Sequence, residues 1–150
     1  MKTFIILMFC LMPSQIFAPP DSDRITLMES IQFQLLFCDF NPDVVKQALN
    51  ELVMYPDIVY AQIRLETGEV TSNIFKENKN MFGMHPPAKR KTYCIGENRH
   101  CAVYDNYLYS ILDYALLQKY YFDQGLGMNE ILKKYCPEPT YRIKLKNLMT

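Results

Sequence analysis

The chain has 150 residues, a length that suits one domain. Hydrophobic residues make up 49% of it and charged residues 21%, which permits a sizeable core and excludes global disorder. Lysine and arginine together balance aspartate and glutamate at 16 each, so the charge offers no electrostatic case for a nucleic-acid partner.

The first 18 residues have the pattern of an export signal. Lys2 gives a basic start, an apolar run follows from Phe4 to Met12, and a short exit ends at Ala18. The run is too short to span a bilayer comfortably, and no other stretch could span one. We therefore expect cleavage after residue 18, a secreted or periplasmic domain over 19–150, and no stable membrane insertion. Cys10 leaves a lipid anchor as the alternative.

Cleavage would remove one lysine and no acidic residue, so the formal net charge would become about −1. It would leave four cysteines: Cys38, Cys94, Cys101 and Cys136. An even count in an exported protein favours disulfides, and three pairings are possible. Cys94 and Cys101 are close enough in sequence to close a hairpin. Cys38 and Cys136 would then tie the first helix to the last segments.

A zinc site is the rival interpretation of two of these cysteines. It would use Cys94 and Cys101 with His85 and His100. There is no Cys-x-x-Cys pair, and the four side chains are unevenly spaced along the chain. We predict neither a metal site nor a cofactor.

Three helices are predicted in the first half of the chain. The first covers Ser22 to Phe37, where apolar residues recur at helical spacing. The second begins at Pro42, because proline is tolerated in the first turn of a helix. Pro56 begins a third helix that ends near Glu66, and Gly68 lies just beyond it as a left-handed stop.

Glu66 combines this position with a side chain able to carry a proton. A carboxylate in the last turn of a helix meets the negative end of the helix dipole, and apolar neighbours such as Phe75 or Phe82 would disfavour its charge further. Both effects raise the pKa of the carboxyl group. A carboxyl group that keeps its proton near neutral pH is what a general acid needs. The alternative is an ordinary surface glutamate at a helix end.

A loop and a hairpin follow the Glu66 region. A short helix carries Phe75, and a basic, proline-containing loop runs from Met84 to Lys91. Two short strands, Thr92–Ile95 and Cys101–Tyr104, are predicted on either side of a turn at Gly96–Asn98.

The last third of the chain is predicted to be helical with one ambiguity. A long helix follows Asn106, and a short one covers Met128 to Tyr135. The tail from Tyr141 fits a strand and a helix equally well. The whole pattern predicts a mostly helical α+β domain with one small β-hairpin.

Aromatic and acidic residues near the hairpin are further candidates for a site. Tyr93, Tyr104 and Tyr107 cluster there, and a flat ring with a polar tip suits a sugar ring. Aromatic packing beneath the hairpin is the alternative for them. Glu97, at the hairpin turn, is a second candidate carboxylate, and a solvated turn residue is the simpler interpretation of it.

Five segments of the chain match sequence motifs of a known family, and they occur in the order of that family: Pro56–Gln62, Leu65–Gly68, Thr71–Met84, Ala102–Asn106 and Ser110–Tyr114. In this order the chain resembles the glucosaminidase domains of bacterial peptidoglycan hydrolases, a branch of the lysozyme-like superfamily. The resemblance covers roughly residues 41–148, which is most of the mature chain.

The resemblance implies a lysozyme-like fold, a helical tail and a set of site residues. Glu66, in Leu-Glu-Thr-Gly, matches the catalytic acid, and Tyr104 matches the motif tyrosine. Some members have a second acid on the hairpin, a position that Glu97 would take. We expect four residues to bind substrate: Tyr93, Phe82, Tyr107 and Asn80.

We therefore predict a monomeric hydrolase of peptidoglycan glycan strands that cuts the β-1,4 bond after N-acetylglucosamine, with Glu66 as general acid. Glu97 could activate water in an inverting scheme, or the acetamido group of the substrate could be the nucleophile, held by Tyr104. A lytic transglycosylase and a non-catalytic binding domain for wall glycan are the alternatives.

Overall fold

Seven helices and one two-stranded hairpin make up the part of the chain that the computed structural model describes, residues 22–37 and 40–149, with side chains for 26–35 and 40–149. The helices are α1 (Ser22–Phe37), α2 (Pro42–Leu52), α3 (Pro56–Thr67), α4 (Asn73–Asn78), α5 (Tyr107–Phe122), α6 (Met128–Tyr135) and α7 (Pro139–Leu148). The strands are β1 (Gly96–Asn98) and β2 (Cys101–Val103). The predicted mostly helical α+β class is confirmed, and the predicted signal over 1–18 lies outside the described residues.

The third helix ends as its sequence predicts. Pro56 occupies the first turn, and Gly68 follows Thr67 in the left-handed conformation, with φ at 56°. The Gly68 N–H donates back to the Leu65 carbonyl, which closes the last turn. The carboxylate of Glu66 is therefore held at a well-defined helix end.

The tail forms a helix, and this helix matters for the rest of the fold. α7 packs along α3, and α3 also packs on α2. The buried residues of α7 are Tyr141 and Leu145, which are four positions apart and so share one face of the helix. The helical alternative for the tail, which the family resemblance favoured, is confirmed.

The core gathers around α5, which packs against both α1 and α2. Its buried apolar residues include Leu108, Ile111 and Leu112, which recur at helical spacing. The same helix also buries three polar side chains completely or nearly so: Ser110, Asp113 and Gln118. Buried polar groups of this kind need hydrogen-bond partners, and Asp113 finds them in the loop that precedes the hairpin.

The first strand of the hairpin begins four residues later in the chain than predicted, at Gly96 instead of Thr92. Strand β1 covers Gly96–Asn98, the segment predicted as the turn, and pairs antiparallel with β2 in a register that places Asn98 opposite Cys101. The connection is therefore the two residues Arg99 and His100, whose φ angles are 54° and 62°. Two positive φ angles match the right-handed twist of a tight hairpin, and this turn sets the register.

The predicted bridge between Cys94 and Cys101 does not form, because this register separates the two residues. Cys101 stands opposite Asn98, whereas Cys94 lies beyond the paired segment. Both are free thiols: Cys94 Sγ donates to the Gly96 carbonyl at 2.8 Å, and Cys101 Sγ lies 3.9 Å from the Gly83 carbonyl. Cys136 is also a free thiol, and its predicted partner Cys38 lies outside the described residues.

The described residues contain neither a membrane-spanning helix nor a cluster of metal ligands. No helix there has the length and apolarity needed to cross a membrane. No group of three or more His, Cys, Asp or Glu side chains is arranged there to hold a metal ion.

Candidate functional site

Glu66 sits at the meeting point of α3 and α7, and a tyrosine from α7 holds its side chain. The Tyr141 hydroxyl donates a hydrogen bond of 2.6 Å to Glu66 Oε1. Tyr141 is 5% exposed, so the donor of this hydrogen bond is shielded from water. The other carboxyl oxygen, Oε2, has no hydrogen bond within the described part of the chain and faces Gly83.

Two buried side chains support Tyr141 from below. Gln62 Nε2 donates to the Tyr141 hydroxyl at 3.3 Å, and the Tyr114 hydroxyl donates to Gln62 Oε1. Gln62 and Tyr114 are both fully buried. Gln62 lies one turn before Glu66 on the same face of α3, so the chain of donors runs from α5 through α3 to α7 and ends on the carboxylate.

The pKa of Glu66 is raised above its ordinary value. Burial is the main cause, because it removes water that would solvate the charged carboxylate. The Tyr141 hydrogen bond acts in the opposite direction, since it stabilises the ionised form. Tyr141 itself stays protonated, because burial and the adjacent carboxylate raise its pKa well above the ordinary value. It therefore remains a hydrogen-bond donor across the physiological range.

A cleft of about 600 Å³ opens over this carboxyl group. Its walls come from the loop 82–90, from the second half of α5 and from the end of α6. The aromatic and apolar lining residues include Phe82, Leu117, Tyr120, Tyr121 and Tyr135. Glu66 is the one acidic side chain among the described residues that line the cleft. Aromatic rings beside a carboxyl group of raised pKa suit a sugar chain with a bond to be protonated.

The backbone at Gly83 comes close to the Glu66 carboxyl group. A Cβ atom added at Gly83 would lie 3.6 Å from Glu66 Oε2, and the φ angle of 62° is one that side chains other than glycine rarely adopt. The positive φ angle therefore favours glycine here, and a side chain at this position would lie in van der Waals contact with Oε2.

Asn80 shapes the loop that carries Phe82 and Gly83. Its amide nitrogen donates to the carbonyls of Met84 and Ala102, both at 2.9 Å, and its amide oxygen accepts from the N–H groups of Phe82 and Met84, both at 3.2 Å. These four hydrogen bonds use both N–H donors and both acceptor lone pairs of the amide. The structure therefore places Asn80 beneath the cleft as a loop-forming residue, with nothing left to offer a sugar.

Asp113 holds the loop 84–93, which forms one wall of the cleft. This fully buried carboxylate accepts two hydrogen bonds from the Arg90 guanidinium, at 2.9 and 3.1 Å, and one from the Tyr93 N–H at 3.1 Å. The Tyr104 hydroxyl donates a fourth, at 2.8 Å. The loop 84–93 has no helix or strand of its own, so this buried cluster fixes its course along the cleft.

The structure brings together only part of the predicted site. Glu66 and Phe82 line the cleft, and the Phe82 ring stacks on Tyr114 with centroids 4.3 Å apart. Tyr104 is buried at 2% exposure with its hydroxyl on Asp113, and it does not line the cleft. Its catalytic role stays a prediction, and the contacts observed for it are structural.

The hairpin candidates also lie away from the cleft lining. Tyr93 stacks on Tyr109, with centroids 5.4 Å apart, and Tyr107 stacks on Phe75 at 4.8 Å. These contacts match the packing alternative for both tyrosines. Glu97 is exposed on β1, where its carboxylate lies 3.4 Å from His100 Nδ1.

Sequence reasoning missed the residues that reach Glu66 and the cleft from far along the chain. Tyr141 is 75 positions from Glu66, and Asp113 is 23 positions from Arg90. One local signal was available: Gln62 precedes Glu66 by four positions, which places an amide and a carboxyl group on the same helix face. Three other lining residues are not predicted for the cleft: Lys89 is only part of a basic loop in the sequence, Cys136 is only a disulfide candidate, and Lys134 carries no signal of its own.

Comparison with known proteins gives one match. The family model named Glucosaminidase, with the description mannosyl-glycoprotein endo-beta-N-acetylglucosaminidase, matches residues 42–150. Among curated proteins nothing matches. Among solved structures nothing matches either.

Tyr141→Phe is expected to raise the pKa of Glu66 further, because it removes the one hydrogen bond that favours the carboxylate. The measurement is the titration of the Glu66 side-chain carbon by NMR in wild type and variant. Tyr109→Phe is the control, because that tyrosine lies against Tyr93 and away from Glu66. An unchanged or lowered Glu66 pKa in Tyr141→Phe would contradict the assigned hydrogen bond.

Asp113→Asn is expected to lower the free energy of unfolding by about 3–5 kcal/mol, because it leaves the buried Arg90 guanidinium without its counter-charge. Denaturant unfolding measures the loss. Glu77→Gln is the matched control: Glu77 pairs with Arg99 at 3.2 Å on the surface, where a pair contributes about 0–1 kcal/mol. Equal effects of the two substitutions would show that Asp113 does not anchor the loop.

Proposed function

The chain belongs to the glucosaminidase family, and on that premise we propose that it is a secreted peptidoglycan hydrolase that cleaves the β-1,4 bond after N-acetylglucosamine. The observation that carries the proposal is the protonatable carboxyl group of Glu66 in an aromatic cleft. Oε1 is held by Tyr141, and Oε2 faces the open space beside Gly83. Oε2 is therefore the oxygen that would carry the proton to the leaving glycosidic oxygen.

The composition of the cleft bears on the second catalytic role. An inverting hydrolase needs a second carboxylate about 6.5–9.5 Å from the acid, and a retaining one needs it at about 5–5.5 Å. Glu66 is the single acidic lining residue in the described part of the chain, and Glu97 lies on the exposed hairpin beside His100. These positions favour a mechanism in which the substrate supplies the nucleophile.

In that mechanism the acetamido oxygen of the N-acetylglucosamine unit attacks C1 while Glu66 protonates the departing oxygen. The C1–O bond to the next sugar breaks, and a ring closes between the acetamido group and C1. Water then attacks C1, the bond between C1 and the acetamido oxygen breaks, and the water gives a proton to the Glu66 carboxylate, which restores the acid. Two displacements at C1 retain the configuration of the sugar.

Glu66→Gln is expected to lower kcat on purified cell wall by about 10²- to 10⁴-fold, because the amide cannot donate the proton. Release of reducing ends measures the rate, and mass spectrometry with NMR of the products identifies them as N-acetylglucosamine with retained configuration. Wild-type activity in Glu66→Gln would refute the assignment. Anhydro-muramyl ends would identify a lytic transglycosylase instead, and wall binding without cleavage would identify a binding domain.

The control for this experiment is Glu97→Gln. We expect its rate to stay within about 2-fold of wild type, as for other exposed substitutions. A loss comparable to that of Glu66→Gln would restore the two-carboxylate scheme. The same assay on Tyr104→Phe separates its two roles: a structural role predicts lower stability with kcat kept, and a catalytic role predicts the reverse.

We also propose that residues 1–18 direct export. The expected result is a mature protein that begins at Pro19 when the full chain is expressed in a bacterial host with a secretion pathway. N-terminal sequencing or intact mass of the exported fraction measures it. An uncleaved cytoplasmic product, or a chain that begins with a lipid-modified Cys10, would contradict this proposal.

A further inference from the structure

The charge of the cleft differs from that of the chain as a whole. The full sequence is balanced at 16 acidic and 16 lysine or arginine side chains, whereas the described cleft lining contains one acid, Glu66, and three lysine or arginine residues. These are Lys89, Arg90 and Lys134. Arg90 is neutralised by the buried Asp113 carboxylate, so two lysines account for the positive charge that is open to a ligand.

Both lysines lack an acidic partner within residues 40–149. Lys89 lies exposed on the loop that Asp113 anchors, and Lys134 lies exposed at the end of α6. The Lys134 ammonium stands 5.8 Å from the centroid of the Tyr121 ring, which is another lining residue. Two cations from separate elements therefore border one aromatic cleft.

Helix electrostatics explains only part of this arrangement. Cations are favoured in the last turn of a helix, and α6 ends with both Lys133 and Lys134. That rule treats the two lysines alike, yet only Lys134 lines the cleft. It gives no reason for Lys89, which is on a loop. Lys133 is consequently a built-in control, with the same charge and helix end but outside the cleft.

We propose that Lys89 and Lys134 bind a carboxylate carried by the glycan beside the bond that is cut, so that the cleft selects anionic glycans over neutral ones. This inference rests on the proposed function and adds the specificity of the same site. A cleft with one sign of charge between apolar walls concentrates ligands of the opposite sign. Ammonium groups suit a carboxylate of variable position, because they act as point charges on flexible stems.

Such a carboxylate has two sources in wall glycan. It can belong to the acidic ether substituent of the sugar itself or to a peptide attached to that substituent. Both present the same charge, so the cleft does not distinguish them by charge alone. Glycan strands with and without peptides separate the two sources experimentally.

The test compares full-length wild type with Lys89→Gln, Lys134→Gln, the double variant and the control Lys133→Gln. Each acts on peptide-free glycan strands, on peptide-bearing strands, and on both after the carboxyl groups have been converted to neutral amides. The readout is KM and kcat from release of reducing ends at two salt concentrations. Glutamine keeps the length of the side chain and removes its charge.

We expect amidation to raise the wild-type KM with little change in kcat. Each cleft lysine variant should raise KM on native strands on the order of 2- to 5-fold, with a smaller effect at high salt, and should lose the difference between native and amidated strands. Lys133→Gln should behave as wild type. An effect confined to peptide-bearing strands would support the inference and assign the carboxylate to the peptide.

Equal KM values of the wild type on native and amidated strands would overturn the inference, as would equal effects of Lys133→Gln and Lys134→Gln. Failure of the proposed function gives a different result, since the wild type would then release no reducing N-acetylglucosamine ends from any of the strands.

Discussion

The hydrogen bond from Tyr141 to Glu66 is the contact on which the site depends. It joins the end of α3 to the first turns of α7, and the two helices pack together along their length. Without α7 the carboxyl group would lie on an open helix end, as an ordinary surface glutamate. With α7 in place, the carboxyl group is half-buried, has one oxygen fixed and presents the other to the cleft.

A second buried contact sets the opposite wall. Asp113 binds Arg90, Tyr93 and Tyr104 at once, so that a loop without regular structure takes one path past Glu66. The Asp113 cluster and the Tyr141–Glu66 hydrogen bond share no residue. They are connected through α5, in which Asp113 and Tyr114 are consecutive residues. Tyr114 supports Gln62 and hence Tyr141. The central helix therefore positions both the acid and the wall that faces it.

The parts of this site that could be predicted are those set by local sequence. Pro56 and Gly68 bound the third helix through their own backbone preferences, so the place of Glu66 at its end followed from sequence alone. The partner Tyr141 did not follow, because its segment fits a strand or a helix and only packing on α3 decides between them. Asp113 is one polar position in a predicted helix, and the residues next to it in the sequence give no indication that its partner is Arg90.

The hairpin shows how local signals also mislead. Gly96 and Asn98 have the composition of a turn, yet they form β1, while Arg99 and His100 adopt the positive φ angles of the turn. Asn78 gives a physical reason, since its amide donates to the Asn98 carbonyl at 3.1 Å and accepts from the Asn98 side chain at 2.9 Å. These two hydrogen bonds fix the end of β1 at Asn98. The turn therefore falls on Arg99 and His100, although neither is a residue type that favours positive φ angles.

The raised pKa of Glu66 also bears on stability, and its sign follows from linkage. A group whose pKa is raised on folding stabilises the folded state fully at a pH below its unfolded pKa, and this contribution is lost as the pH rises through the folded pKa. At neutral pH the site therefore opposes folding to the extent that the carboxylate is ionised, and Tyr141 offsets part of that penalty. The more deeply the carboxyl group is buried, the higher its pKa and the larger this penalty. The packing of α3 on α7 must therefore supply enough stability to offset it.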